Sequence, residues 1–137
     1  MLGELRGTAR PRCAIRRRSD HCSSGQLGWF CPALPFANGR HAHEYRIFKK
    51  APLEDEQILV AGVIDTLSNV VEHLEVIADR IEKVATLIGD PRQVLADTDC
   101  GFDTPAGNSR VASDVAWAKL RALSEGASIA SRRLFGV

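Results

Sequence analysis

The feature that most constrains the fold is an unbroken apolar run at residues 58–64, which reads Ile-Leu-Val-Ala-Gly-Val-Ile. The run is rich in β-branched residues and contains no alternating polar position. A strand with this pattern is buried on both faces, which is typical of parallel sheets that helices cover. The run therefore predicts a parallel α/β protein.

A helix is predicted after this strand. A polar turn occupies residues 65–69, and apolar residues then recur at spacings of three and four, at Leu74, Ile77, Ile81, Val84 and Ile88. This spacing predicts an amphipathic helix of about four turns. Gly89 and Pro91 follow it directly and predict its end.

A second strand and a second helix complete the pattern. Residues 94–96 predict a short strand, and residues 97–108 form a long loop that is rich in Gly and Asp. Ser113 or Asp114 is predicted to cap the last helix, whose apolar line contains Ala116, Leu120, Leu123, Ala127, Ala130 and Leu134. A face of small residues, Gly126, Ala127 and Ala130, would let this helix approach a sheet closely. Two buried strands cannot cover themselves, so the chain either belongs to a larger sheet or barrel or associates with itself through its exposed sheet.

The first part of the chain has a different character. Residues 1–40 hold seven Arg against two acidic residues, although the whole chain has a net charge of +1. Pro and Gly interrupt every candidate element in this part. We predict that residues 1–35 are a disordered leader rich in Arg, Pro and Cys and that residues 36–137 form a separate domain. Its structured part is predicted at residues 58–135, with a short helix before it at residues 41–50.

Composition excludes several classes of function. No apolar run reaches the roughly 18–20 residues of a membrane-spanning helix, so no membrane partner is expected. Arg16, Arg17 and Arg18 lack interleaved aromatic residues, so no nucleic-acid partner is expected. The four Cys form no C-x-x-C pair and no secretory signal is present, which favours a reducing, cytoplasmic location.

Candidate chemistry lies where the strands end. In a parallel α/β protein the carboxyl ends of the strands carry the active site, and the loops at residues 65–69 and 97–108 lie there. The second loop contains Cys100 among three Asp residues. A thiol at this position suits a nucleophile or a soft metal ligand, and a half-buried structural cysteine is the other interpretation.

Three separated blocks resemble a known family. Residues 62–69 read GVIDTLSN, residues 96–102 read ADTDCGF and residues 115–123 read VAWAKLRAL. In this order they resemble the C-terminal end of the cobalamin-independent methionine synthase family, and Phe-Ala-Asn at residues 36–38 extends the resemblance upstream. Residues 1–35 show no such resemblance.

The resemblance implies a fold and an activity. It implies a C-terminal fragment of a (β/α)8 TIM barrel, of which this chain would hold the last two β/α units. It also implies zinc-dependent methyl transfer from 5-methyltetrahydrofolate to the thiol of homocysteine, giving methionine. Cys100 matches a zinc ligand of the family, and Asp65 and Ser68 fall in a loop that lines the substrate pocket. Homocysteine and methyltetrahydrofolate would be the small-molecule partners.

Departures from the family pattern leave alternatives open. Pro35 stands where the family has a Glu that binds zinc, and Leu67 stands where it has a His. Only Cys100 remains as a zinc ligand, whereas protein zinc sites use three or four. We therefore expect the isolated chain to be inactive. A thiol alkyltransferase of the coenzyme M–epoxide type on the same barrel and a non-catalytic remnant are the alternatives.

Overall fold

The computed structural model of the chain describes residues 32–103, 107 and 110–136. Three parallel strands form one sheet in the order β1-β2-β3, and two α-helices pack against it. The elements are β1 (Ala33–Pro35), β2 (Leu59–Ile64), α1 (Leu74–Ile88), β3 (Val94–Thr98) and α2 (Ser113–Phe135). Short 3-10 helices cover Glu44–Lys49 and Pro91–Gln93. The prediction of an α/β chain with a parallel sheet is confirmed.

Strand β2 is the centre of the sheet and of the core. All its residues are buried except Val60, which is half-buried. Leu59 lies opposite Val94 of β3, and Ala61 lies opposite Ala96. The side chains of these residues belong to one hydrophobic core, which also contains residues of α1. They share a face of the sheet because every second residue along a strand points to the same side. The apolar run in the sequence corresponds to this strand.

Helix α1 begins and ends at the predicted residues. The His73 ring accepts a hydrogen bond from the Glu75 backbone N–H at 3.2 Å, which caps the first turn. Gly89 ends the helix with a φ of 92°, a left-handed conformation that favours glycine. The periodic apolar residues Ile77, Ile81 and Val84 are all buried. The prediction for this helix is confirmed.

Strand β1 was not predicted from the sequence. It lies at residues 33–35, inside the range assigned to the leader, and pairs in parallel with β2. The Phe36 N–H donates to the Gly62 carbonyl at 2.9 Å, so the nitrogen of Pro35, one residue earlier, faces the open edge of the sheet. Proline is tolerated there because no ladder hydrogen bond is lost. Residues 1–31 lie outside the described residues, and their disorder stays a prediction.

The segment between β1 and β2 contains the predicted short helix. It forms as the 3-10 helix Glu44–Lys49. The Tyr45 ring is buried and meets the Phe36 ring edge-to-face, with 6.0 Å between the ring centroids. This contact attaches the segment to the core.

Helix α2 is rotated relative to its predicted apolar line. Its buried residues are Lys119, Ala122, Gly126 and Ala130, whereas Leu120 is exposed. Trp117 has 71% of its surface exposed. Ala112 precedes the helix without a side-chain cap, so the capping prediction for Ser113 or Asp114 was wrong.

At Gly126 the small-residue face of α2 packs against α1. A Cβ atom on Gly126 would lie 2.7 Å from the Ile77 Cβ and 3.0 Å from the Leu74 carbonyl oxygen. Glycine therefore allows the two helices to approach closely. No helix among the described residues is long and apolar enough to cross a membrane.

Candidate functional site

The carboxyl ends of the three strands are joined by Asp99, the residue that follows β3. Its Oδ1 accepts a hydrogen bond from the Ala37 N–H at 3.0 Å, and its Oδ2 accepts one from the Asn38 N–H at 2.8 Å. Its own N–H donates to the Ile64 carbonyl at the end of β2, at 2.9 Å. One residue thus connects the segments that follow β1, β2 and β3. This edge of the sheet is the candidate functional site.

The Asp99 side chain reaches across β2 over Gly62. A Cβ atom at Gly62 would lie 2.4 Å from the Asp99 Oδ1 and 2.7 Å from the Asp99 Cα. The sheet also has an irregular register between Gly62 and Ile64. Glycine at this position allows the carboxylate to cross the central strand and reach the segment after β1.

The environment of Asp99 favours its protonated form. Burial, the largest influence, raises the pKa of this carboxyl above its ordinary value, and the nearby Asp65 carboxylate raises it further. The hydrogen bonds from Ala37 and Asn38 and the positive charge of Arg80 act in the opposite direction. A carboxyl group with a shifted pKa at the carboxyl end of a parallel strand is a candidate functional group.

The raised pKa predicts how the contribution of Asp99 to stability depends on pH. The folded protein binds the Asp99 proton more tightly than the unfolded chain does, so this contribution is fully present below the ordinary pKa of 3.8 and is lost as pH rises through the folded-state pKa. We expect the free energy of unfolding of the wild type, relative to Asp99→Asn, to fall as pH rises above the ordinary pKa of 3.8. Urea unfolding of both proteins across this range measures the difference. A difference that grows with pH would contradict the prediction.

The first of the two predicted strand-end loops begins at Asp65. We define the β2 loop as residues 65–73. The Asp65 N–H donates to the Glu72 Oε1 at 2.8 Å, and the Asp65 carbonyl accepts from the Lys119 Nζ at 2.9 Å. The Asp65 Oδ1 accepts from the Leu67 N–H at 3.1 Å. The side chain and both backbone polar groups of Asp65 therefore have partners.

Lys119 was missed in the sequence analysis. Its side chain is fully buried, and its Nζ donates to the Asp65 carbonyl, the Val70 carbonyl and the Glu72 Oε2, the last at 2.9 Å. Three acceptors satisfy all three ammonium hydrogens. The available signal was its spacing, because Lys119 lies on the same helical line as Ala122, Gly126 and Ala130.

An arginine completes the charges at this edge. The Arg80 Nη1 donates to the Val63 carbonyl at 2.7 Å and lies 3.9 Å from the Glu72 Oε1. The acidic residues Asp65, Glu72 and Asp99 thus share the edge with two cations, Lys119 and Arg80. The arrangement is a network of charges in which the cations offset part of the cost of placing carboxylates together.

The structure places the other predicted site residues at the same edge. Cys100 is exposed and carries a free thiol, and its carbonyl accepts from the Thr98 Oγ1 at 2.9 Å. Ser68 is half-buried in the β2 loop. Asp65, Ser68 and Cys100 therefore lie on adjacent strand-end segments, as the topology of a parallel sheet requires.

The zinc prediction has less support in the structure. Among the described residues, no group of three or more His, Cys, Asp or Glu side chains is placed to hold a metal ion. These residues alone do not fit a zinc site, which needs three or four ligands. Cys13, Cys22 and Cys31 lie outside the described part of the chain.

Comparison with known proteins adds one finding. No family model and no curated protein matches the chain. Among solved structures, a B12-independent methionine synthase from a Shewanella species, determined in complex with selenomethionine, is similar, with a TM-score of 0.55 and 21% identity. The alignment covers 77% of this chain and 27% of that enzyme, so the chain spans about a quarter of the enzyme's length. The predicted resemblance to this family is confirmed at the level of the fold.

Proposed function

We propose that this chain forms the C-terminal part of a barrel enzyme that transfers a methyl group from 5-methyltetrahydrofolate to the thiol of homocysteine. The observation that carries the proposal is the parallel sheet whose fold is similar to part of a B12-independent methionine synthase. The predicted site residues Asp65, Ser68 and Cys100 lie at the carboxyl ends of its strands, where barrel enzymes hold their substrates.

The unpaired parts of the sheet support a larger assembly. Strand β3 is an edge strand among the described residues, and Leu95 on it has 57% of its surface exposed. An exposed edge strand with a large apolar side chain is a site for pairing with further strands. We propose that the described strands are part of a (β/α)8 barrel whose remaining strands cover Leu95 and pair with β1 and β3.

Each predicted site residue has a proposed role. The Asp65 carboxylate would bind the ammonium group of the amino-acid substrate, and the Ser68 hydroxyl would donate a hydrogen bond to its carboxylate, because these pairings match charge and donor to acceptor. Cys100 would supply one sulfur ligand to a zinc ion whose other ligands come from outside the described residues.

An activity assay tests the proposal. We expect the chain alone, given methyltetrahydrofolate, homocysteine and zinc, to match the blank without enzyme, because the described residues form too few strands for a closed barrel. Co-expression with the N-terminal part of a methionine synthase should give methionine, measured by mass spectrometry. A stable one-to-one complex without turnover would contradict the proposed function.

The role of Cys100 is tested by metal content. Cys100→Ser in the same complex should remove most of the bound zinc, because a poorly ionised hydroxyl replaces a soft thiolate. Cys13→Ser serves as the matched control and should leave the zinc unchanged. Zinc per complex is measured by atomic emission, and an unchanged value for Cys100→Ser would show that Cys100 is not a ligand.

A further inference from the structure

The buried lysine of helix α2 has no direct route to a substrate. The side chain of Lys119 has no exposed surface. All its contacts described above lead to the β2 loop, which contains the proposed substrate-binding residues Asp65 and Ser68. Burying a charged group is energetically costly. The three acceptors of this ammonium group all belong to the β2 loop, so this loop is the segment that the buried charge stabilises.

Lys119 and Glu72 together fix the backbone on both sides of the Asp65 side chain. Glu72 accepts from the Asp65 N–H at 2.8 Å, and Lys119 donates to the Asp65 carbonyl at 2.9 Å. The two charged groups also contact each other at 2.9 Å. Lys119 additionally holds the Val70 carbonyl, so it connects the first part of the β2 loop with its later part.

An independent pair of hydrogen bonds fixes the same loop to the start of α2. The Asn69 Nδ2 donates to the Arg110 carbonyl at 3.0 Å, and the Asn69 Oδ1 accepts from the Ala112 N–H at 2.8 Å. Leu67 and Val70 of the loop are exposed, whereas Thr66 is buried. Polar contacts to α2 therefore hold the loop together with the burial of Thr66.

We propose that Lys119 is a positioning residue, which through Glu72 and the Asp65 backbone holds the Asp65 carboxylate in the orientation that binds the substrate's ammonium group. The proposal rests on the proposed function, since Asp65 has a substrate only there. A binding group is effective when neighbouring contacts lock its conformation in advance. Lys119 fixes the conformation of the loop from the protein interior and does not contact the substrate.

Hydrogen exchange in the full chain tests the positioning. Lys119→Met leaves the Glu72 carboxylate buried without its ammonium partner and can prevent folding, so the test uses the double variant Lys119→Met/Glu72→Gln, which leaves neither charge. We expect the Asp65 and Leu67 amides to exchange at least about tenfold faster, while the amides at the centre of α1 change less than about twofold. Lys50→Met/Glu56→Gln makes the same chemical change at two exposed residues and should alter neither set. Equal acceleration in the loop and in α1, or no acceleration in the loop, would overturn the proposal.

Kinetics in the co-expressed barrel separate positioning from general stability. The double variant should raise the KM for homocysteine about tenfold and change kcat less, because a misplaced binding group weakens substrate binding. An unchanged KM in an active complex would overturn the positioning role and leave the proposed function intact. The exchange measurement needs no methyl transfer, so it tests whether Lys119 holds the β2 loop even if the proposed function fails.

Discussion

Replacing Lys119 with Met is expected to lower the free energy of unfolding by about 3–5 kcal/mol, the cost of removing one partner of a buried ion pair. The methionine fills a similar volume, so little of this loss comes from a cavity. The loss arises because the Glu72 carboxylate, with 9% of its side chain exposed, keeps its charge without the ammonium group. The carbonyls of Asp65 and Val70 lose their donor as well.

The double variant Lys119→Met/Glu72→Gln shows whether the loss of stability comes from the unpaired Glu72 charge or from changed packing around residue 119. Because it leaves no unpaired buried charge, it should be more stable than Lys119→Met alone, although Glu72→Gln is itself a second substitution in the core of the network. Urea unfolding followed by circular dichroism measures all three proteins. Lys50→Met, at an exposed position, should change stability by less than about 0.5 kcal/mol. A loss below about 1 kcal/mol for Lys119→Met, or a double variant less stable than the single one, would contradict this account.

The sequence was sufficient for the elements in which the local pattern and the tertiary packing agree. Strand β2 was predicted from an apolar run that is buried on both faces, and the structure buries nearly all of it. Helix α1 was predicted from apolar spacing and from Gly89, whose positive φ ends the helix. In both cases the apolar residues that form the pattern are the ones that face the core, so the pattern alone predicts the element.

Where burial does not follow hydrophobicity, the sequence was misleading. Helix α2 buries Lys119 and leaves Leu120 and Trp117 exposed, so a line drawn through its apolar residues coincides with its buried face only in part. Strand β1 has three residues and contains Pro35, which argues against a strand unless the paired edge is known. Both elements depend on partners in β2 and its loop that are distant in the chain.

The sequence predicted where the candidate site lies in the fold, but it did not predict all the residues that form it. The rule that parallel strands carry their chemistry at their carboxyl ends placed Asp65 and Cys100 correctly. The rule does not say that Asp99 connects the three strand ends or that Lys119 reaches the β2 loop, because these contacts join residues that are distant in the chain. Zinc binding by Cys100 came from the family resemblance alone and stays a proposal.

Gly62→Ala is expected to be as damaging as the loss of Lys119, with a decrease of at least about 3 kcal/mol in the free energy of unfolding. The added Cβ would lie 2.4 Å from the Asp99 Oδ1, 2.7 Å from the Asp99 Cα and 3.1 Å from the Asp99 backbone nitrogen. Overpacking in a dense interior costs about 1–3 kcal/mol. The displaced carboxylate would also lose its hydrogen bonds from Ala37 and Asn38, each worth about 1 kcal/mol or more.

The added methyl group at residue 62 would meet the backbone of Asp99 as well as its carboxylate, and a double variant tests this. If only the Asp99 carboxylate obstructed the methyl group, Asp99→Ala in the Gly62→Ala background would restore the stability of Asp99→Ala alone. Since the Cα and the nitrogen of Asp99 obstruct it too, we expect the double variant to remain less stable than Asp99→Ala, measured by urea unfolding. Gly39→Ala and Gly101→Ala, where an added Cβ would meet no atom within 4 Å, are the matched controls and should change stability little. Restoration in the double variant would show that β3 can move away from β2 at this point, and that the close approach of the two strands is not needed to hold the three strand ends together.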